Sequence, residues 1–295
     1  MFVVKFWGTR GSIPTPGWQT RRYGGNTSCL ALEIDDSLFV CDGGTGLREL
    51  GLELMKKPQT ERRIHMFFSH PHWDHIQGFP FFIPAYRPNN TIIVYGREQD
   101  DTEHFKLISG QMQSDYFPVE FSELVADIRP SFLEEDTKVL DGVRVSWLKQ
   151  VHPGGSLAYK FQKNGQTLVY ATDNELDLTI QNKEEVEDNP AAHRKVSQRY
   201  LDFIRGADFL IGDGQYLDKE YPEKVGWGHS RATTLVDAAV EAGVKQLAIF
   251  HHDPMHDDET VDEKIAICRR RAALASSDII IFGAREKVSF RLDYD

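Results

Sequence analysis

The sequence feature that most constrains this chain is a short turn that carries three histidines and an aspartate. The turn, at residues 69–75, reads SHPHWDH and follows the apolar run IHMFF at residues 64–68. An apolar run of this kind predicts a buried strand, so the turn places nitrogen and oxygen donors just beyond the edge of a sheet. Zinc and similar metals bind such donors at about 2.0–2.2 Å. The turn therefore predicts a metal site with the ligands His70, His72, Asp74 and His75.

Composition limits the class of protein. The chain has 295 residues, enough for a sizeable core, and its hydrophobic and charged contents of 40% and 27% are ordinary for a globular protein. No apolar stretch reaches the roughly 18–20 residues of a transmembrane helix, and the N-terminus lacks the pattern of a secretory signal. We therefore expect no membrane association and a cytoplasmic location. The three cysteines, Cys29, Cys41 and Cys268, are expected to be reduced core residues.

The net charge of the chain bears on the size of its ligand. The formal charge is −11, whereas proteins that hold a long nucleic acid generally present a basic surface to the phosphates. The one basic cluster with room to act lies near glycines and comprises Arg10, Arg21 and Arg22. The charge therefore favours a small substrate over a long nucleic acid.

Apolar runs alternate with turn signals along the chain and predict one α/β domain over residues 1–295. Strands are predicted at residues 2–7, 28–34, 37–41, 64–68, 92–95, 156–161, 167–172, 208–212, 246–250, 279–282 and 287–292, and a two-stranded stretch that turns at Asp141 and Gly142 is predicted at residues 139–151. Helices are predicted at residues 45–57, 101–112, 193–205, 230–242 and 258–275. Two acidic segments, near residues 97–135 and 174–192, interrupt this pattern and are expected to be insertions, the second of them solvated.

Further candidate ligands lie where later predicted strands end. They are His152, Asp173 and Asp213, followed by the neighbours His251 and His252. A carboxylate or imidazole at one strand end is unremarkable, but four such ends predict a shared centre at one edge of the sheets. The sequence leaves open which of the last two histidines is the ligand, and His251 is favoured because it follows the apolar run directly.

The order and spacing of these motifs resemble the metallo-β-lactamase superfamily, and within it the branch of ribonuclease Z and related phosphodiesterases. The similar segments are FWGTRGSIP at residues 6–14, NTS at 26–28, DGGTG at 42–46, the histidine turn, and GHS at 228–230, sixteen residues after Asp213. The resemblance implies an α/β fold of the metallo-β-lactamase type, an αββα sandwich of two mixed β-sheets flanked by helices.

The same resemblance implies a dinuclear metal site. It assigns His70, His72 and His152 to one ion and Asp74, His75 and His251 to the other, with Asp173 bridging the two. Zinc is the expected metal and manganese the alternative. Asp42 is implied as the acceptor that orients a ligand imidazole, and Asp74 is also counted among the catalytic residues. His229 is implied as the general acid, with Asp213 orienting it.

The reaction expected from this site is hydrolysis, and the pair Asp213 and His229 favours phosphodiesters because a departing alkoxide needs a proton. The main prediction is a phosphodiesterase for small, cyclic nucleotides. Arg10, Arg21 and Arg22 are candidates to contact the phosphate or base, and Tyr116 and Phe117 to stack on a base. The alternatives are a ribonuclease Z-like endonuclease that processes RNA 3′ ends and a metal-bound nucleotide-binding or sensor module with little turnover. A homodimer is implied by the resemblance.

Overall fold

The computed structural model describes residues 1–56, 61–96, 103–133 and 136–292. These residues form two seven-stranded mixed sheets, and the chain divides into two compact units. The strands are β1 Phe2–Gly8, β2 Cys29–Ile34, β3 Ser37–Cys41, β4 Arg62–Phe67, β5 Asn90–Gly96, β6 Asp127–Phe132, β7 Thr137–Leu140, β8 Val143–Gln150, β9 Ser156–Lys163, β10 Gln166–Ala171, β11 Phe209–Asp213, β12 Gln246–Phe250, β13 Ile280–Gly283 and β14 Ser289–Arg291. The helices are α1 Gly46–Lys56, α2 Trp73–Ile76, α3 Glu103–Gly110, α4 Lys183–Asp188, α5 Gln198–Ile204, α6 Ala232–Glu241 and α7 Asp258–Leu274.

The first unit comprises residues 1–136 and 285–295. Its sheet has the strand order β14-β1-β2-β3-β4-β5-β6, and β3 to β6 run parallel to one another. Helix α1 buries Leu47, Leu50 and Leu54 in the core of this unit. Because β3 and β4 are parallel, their carboxyl ends lie at the same edge of the sheet. Asp42 follows β3 at that edge, and the turn at residues 69–75 follows β4.

The second unit comprises residues 137–284, and its sheet has the order β13-β12-β11-β10-β9-β8-β7. Strands β10 to β13 are parallel. Their carboxyl ends therefore share one edge, which carries Asp173 after β10, Asp213 at the end of β11 and His251 after β12. The predicted hairpin between β9 and β10 turns at Asn164 and Gly165, whose φ angles of 50° and 79° fit the tight turn that joins antiparallel strands.

The two segments predicted as acidic insertions contribute to the described structure. Residues 97–102 and 134–135 of the first lie outside the described part, but the rest contributes β6, which pairs with β5 in parallel. The prediction that residues 174–192 are solvated is wrong at its start, because Asn174, Glu175 and Asp177 are at most 5% exposed. Burial is possible there because these side chains accept or donate hydrogen bonds, as described below.

Three further expectations concern the cysteines, the absence of a membrane-spanning helix and the number of domains. The three cysteines are buried, as predicted, and burial raises the pKa of each thiol. Among the described helices, none combines the length and apolar character that a bilayer crossing requires. The single domain over residues 1–295 stays a prediction.

Candidate functional site

The turn at residues 69–75 gathers its four predicted ligands within the first unit. The rings of His70 and His72 lie 4.4 Å apart, and those of His70 and His75 lie 4.3 Å apart. The Nε2 atom of His75 is 3.1 Å from Oδ2 of Asp74. His70, Asp74 and His75 are buried, whereas His72 is exposed. Helix α2 begins inside the turn and brings Asp74 and His75 back towards His70.

Asp42 holds this turn in place from the end of β3. Its Oδ1 accepts a hydrogen bond from the backbone N–H of Ser69 at 2.7 Å, and its Oδ2 accepts from the Ser69 hydroxyl at 2.9 Å. The Nδ1 atom of His75 also lies 2.8 Å from Oδ2 of Asp42. A carboxylate accepts hydrogen bonds only, so this contact fixes the proton of His75 on Nδ1 and leaves Nε2 as the nitrogen that can bind a metal.

Asp74 is fixed by a loop near the N-terminus of the chain. The backbone N–H of Ser12 donates to Oδ2 of Asp74 at 2.8 Å. Ser12 has a φ of 65°, a left-handed conformation that is uncommon outside glycine. The segment FWGTRGSIP, which carried part of the family resemblance, therefore contributes a backbone donor to a predicted metal ligand.

The second unit forms a cluster of its own at the carboxyl edge of β10 to β12. One donor atom from each of Asp173, Asp213, His229 and His251 lies within 4.8 Å of the others. His152, which follows β8, also reaches this cluster, since its Nε2 is 3.8 Å from Oδ2 of Asp173. The other oxygen of Asp173 lies 3.4 Å from Nε2 of His251. Each carboxylate oxygen of Asp173 thus lies within 4 Å of a different predicted ligand.

His152 and His251, the predicted ligands of the second unit, carry their ring proton on Nδ1, as His75 does. The Nδ1 atom of His152 lies 2.9 Å from the carbonyl oxygen of Gly228, and that of His251 lies 2.7 Å from Oε1 of Gln215. Both partners are acceptors, so both protons reside on Nδ1 and both Nε2 atoms carry a lone pair. The Nε2 lone pairs of these histidines and the nearby carboxylates are suited to binding metal ions.

Asp213 and His229 form the short pair that the sequence predicted. Nδ1 of His229 lies 2.7 Å from Oδ2 of Asp213, and both side chains are buried. Asp213 also accepts from the backbone N–H groups of Asn174 and Gln215, at 3.2 and 3.1 Å. Tyr216 packs edge-on against the His229 ring, and its pKa is raised by burial and by Asp213, so its hydroxyl stays protonated. The carboxylate fixes the orientation of the His229 ring.

The structure separates the neighbours His251 and His252. The ring of His251 stacks on that of His229 with 4.8 Å between centroids. The Nε2 atom of His252 instead lies 2.9 Å from the carbonyl oxygen of Ala284. These contacts favour His251 as the ligand. Asp42, Asp173 and His251 also share positive φ angles of 62°, 53° and 58°, and such strained backbone conformations concentrate at functional sites.

The residues predicted to contact substrate differ in their exposure to solvent. Arg10 is completely buried and its Nε donates to the carbonyl oxygen of Gly24 at 2.8 Å, so its position supports a structural role in place of the predicted contact. Arg21 and Arg22 are exposed. Tyr116 is also exposed, whereas Phe117 is half-buried with its ring edge-on against Phe81. Contact of Arg21, Arg22 and Tyr116 with a substrate therefore stays a prediction.

The sequence did not predict three residues that orient or link the candidate site residues. Gln215 orients His251, the backbone of Gly228 orients His152, and Ser69 links Asp42 to the histidine turn. The only sequence signal for Gln215 is its place two residues after Asp213. The other two act through backbone atoms or a common serine, which no residue pattern reveals.

Comparison with known proteins gives the family. A family model described as the beta-lactamase superfamily domain matches residues 38–252. The chain belongs to this superfamily. A curated relative named ribonuclease Z, from Methanosarcina mazei, is 25% identical over 298 residues, which cover 88% of this chain and 90% of the relative. The predicted resemblance to the ribonuclease Z branch is confirmed at this level.

Solved structures give the fold. The metallo-β-lactamase fold protein YhfI from Bacillus subtilis matches 99% of this chain and all of its own, with a TM-score of 0.67 and 16% identity. The short form of human tRNase Z matches 99% of this chain and all of its own, with a TM-score of 0.65 and 18% identity. The predicted fold class is confirmed, and the chain is a hydrolase of the metallo-β-lactamase fold.

Proposed function

We propose that the chain is a metal-dependent phosphodiesterase. The observation that carries this proposal is the hydrogen-bonded pair of Asp213 and His229, 2.7 Å apart. An alkoxide that leaves phosphorus is strongly basic and needs a proton as the bond breaks, and an imidazole held by a carboxylate is suited to supply it. A module that only binds nucleotides has no use for such an acid, which weighs against the sensor alternative.

The metal ligands of the proposed enzyme are those that the family resemblance implies. His70, His72 and His152 would hold one ion, Asp74, His75 and His251 the other, and Asp173 would bridge them. The imidazole-rich donor set suits zinc, with manganese as the alternative. Two such ions, when bound, activate water and stabilise negative charge on the phosphate.

The residues of the chain then have distinct tasks in the hydrolysis. A water oxygen attacks phosphorus and Asp74 accepts its proton. The bond from phosphorus to the leaving oxygen breaks, and that oxygen takes a proton from Nε2 of His229. His229 keeps its Nδ1 proton, which Asp213 holds. Before the next turnover, the proton lost from Nε2 is replaced from solvent and Asp74 releases to solvent the proton that it took from the water.

RNA is the substrate class that we favour. Relatives named ribonuclease Z match 88% and 96% of the chain. These matches support the alternative, RNA processing, over the main prediction, hydrolysis of small cyclic nucleotides. Cyclic nucleotides remain the second candidate because the formal charge is −11 and residues 97–135 are rich in acidic side chains, an arrangement that repels a long polyanion. The homodimer and the cytoplasmic location stay predictions.

A substrate panel separates these candidates. The purified chain, loaded with Zn²⁺ or Mn²⁺, is offered precursor tRNA and a set of 3′,5′-cyclic mononucleotides, and the products are identified. We expect cleavage of the RNA at a 3′ extension. Hydrolysis of the cyclic nucleotides alone would establish the second candidate, and hydrolysis of neither would refute both.

A further inference from the structure

A buried glutamate of the second unit fixes the loop that leads into His229. Glu175 is 1% exposed, and its Oε1 accepts hydrogen bonds from the Tyr221 hydroxyl and the Gly226 N–H, each at 2.7 Å. Its Oε2 accepts from the Gly228 N–H, also at 2.7 Å. One carboxylate therefore ties down three points of the segment at residues 221–228. Hydrogen bonds to a buried carboxylate are among the stronger ones in proteins, so this loop is held rigidly.

The two glycines that contact Glu175 flank a tryptophan and require their own residue type. Gly226 and Gly228 have φ angles of 86° and 91°, which side chains rarely adopt. A Cβ atom at Gly228 would also lie 2.3 Å from Nδ1 of His152. The backbone of Trp227 is thus fixed on both sides, and its own N–H donates to the Lys224 carbonyl at 3.0 Å.

The indole of Trp227 is presented to solvent despite this rigid backbone. It is 58% exposed, and Nζ of Lys224 lies 4.1 Å from its ring centroid. An exposed aromatic ring with an ammonium group over it can bind a nucleotide, because a ring can stack on a base and a cation attracts the phosphate. Trp227 precedes the proposed general acid, His229, by two residues.

We propose that Trp227 is the surface on which a base of the phosphodiester substrate stacks, with Lys224 as the accompanying positive charge. This inference rests on the proposed phosphodiesterase function and deepens it. Because His229 protonates the leaving oxygen, the stacked base belongs to the leaving side of the substrate. Glu175 fixes the backbone on both sides of Trp227, two residues before the proposed acid, so a base stacked on the ring would also help to orient the bond to be broken.

The test compares diadenosine monophosphate with two analogues, each with an abasic ribose in place of one nucleoside. Trp227→Ala should raise KM for the intact dinucleotide about tenfold, since stacking of one base on an aromatic ring commonly contributes this much. The same substitution should leave KM almost unchanged for the analogue that lacks the stacked base. Trp227→Phe keeps a ring and should recover most of the loss, and Trp18→Ala, which removes another exposed tryptophan, should behave as wild type.

A binding measurement makes the inference independent of turnover. Adenosine monophosphate is titrated into each variant by calorimetry, and Trp227→Ala should weaken its binding about tenfold. If the wild type binds this nucleotide and Trp227→Ala weakens the binding, but the wild type hydrolyses neither the dinucleotide nor any phosphodiester of the substrate panel, the proposed function fails and the stacking surface stands. The stacking role would be overturned if Trp227→Ala had equal effects on the dinucleotide and both analogues, or if it left nucleotide binding unchanged. It would also be overturned if the only effect of the substitution were a change in oligomeric state.

Discussion

Substitution of His229 by alanine should slow the hydrolysis of a phosphodiester with an alkoxide leaving group by about 10²–10⁴-fold. The imidazole that Asp213 holds at 2.7 Å is the proposed source of the proton for that alkoxide. A nitrophenolate leaves without a proton, so hydrolysis of bis-p-nitrophenyl phosphate should fall far less. The ratio of kcat/KM for the two substrates is the quantity to measure.

Two controls separate this role from a loss of metal or of folding. His193→Ala removes a histidine of the second unit whose side chain is 38% exposed and pairs with Glu241, and it should leave both rates unchanged. The metal content of the His229→Ala protein should equal that of the wild type. Equal losses on both substrates, with metal retained, would show that the leaving-group proton comes from elsewhere.

Substitution of Asp173 by asparagine should lower metal affinity at least 10- to 100-fold, and activity should fall with it. The oxygens of Asp173 lie 3.4 Å from Nε2 of His251 and 3.8 Å from Nε2 of His152, and these contacts support the proposed bridging role. Even residues that only orient ligands commonly contribute this much to metal affinity. The metal bound per chain, measured after dialysis, checks the prediction.

Asparagine is the sharper variant because Asp173 has a φ of 53°, a conformation that asparagine tolerates and alanine does not. Asp202→Asn, in an exposed ion pair on α5, is the matched control and should keep its metal. Without metal, the Asp173→Asn protein should melt no lower than the metal-free wild type, since a buried charge is removed. Full metal content and full rate in Asp173→Asn would contradict the bridging role.

The sequence was sufficient for the parts of the site that follow from strand order. The apolar run before the histidine turn predicted β4, and parallel strands necessarily bring their carboxyl ends to one edge. That rule places Asp173, Asp213 and His251 together in the second unit, where their donor atoms lie within 4.8 Å. The pairing of Asp213 with His229 required the family resemblance, because no periodicity links a strand end to a loop sixteen residues later.

The prediction from composition is wrong where polar side chains are buried together with hydrogen-bond partners. Residues 174–177 were expected to be solvated, yet Asp177 is buried and accepts from Arg231 and Thr234, each at 2.6 Å. Burial raises the pKa of Asp177, and Arg231 opposes the shift. Strand β6 was missed because it contains Pro130 and has no fully buried residue, a pattern tolerated at the edge of a sheet.

The central claim is that bound metal makes this chain a phosphodiesterase, and a metal titration tests it most directly. The metal-free protein receives increasing Zn²⁺ or Mn²⁺ while binding and the hydrolysis of bis-p-nitrophenyl phosphate are followed together. The account predicts no hydrolysis without metal, and activity that rises to a maximum at about two ions per chain. A protein that binds both ions and hydrolyses neither this ester nor any other phosphodiester would contradict it.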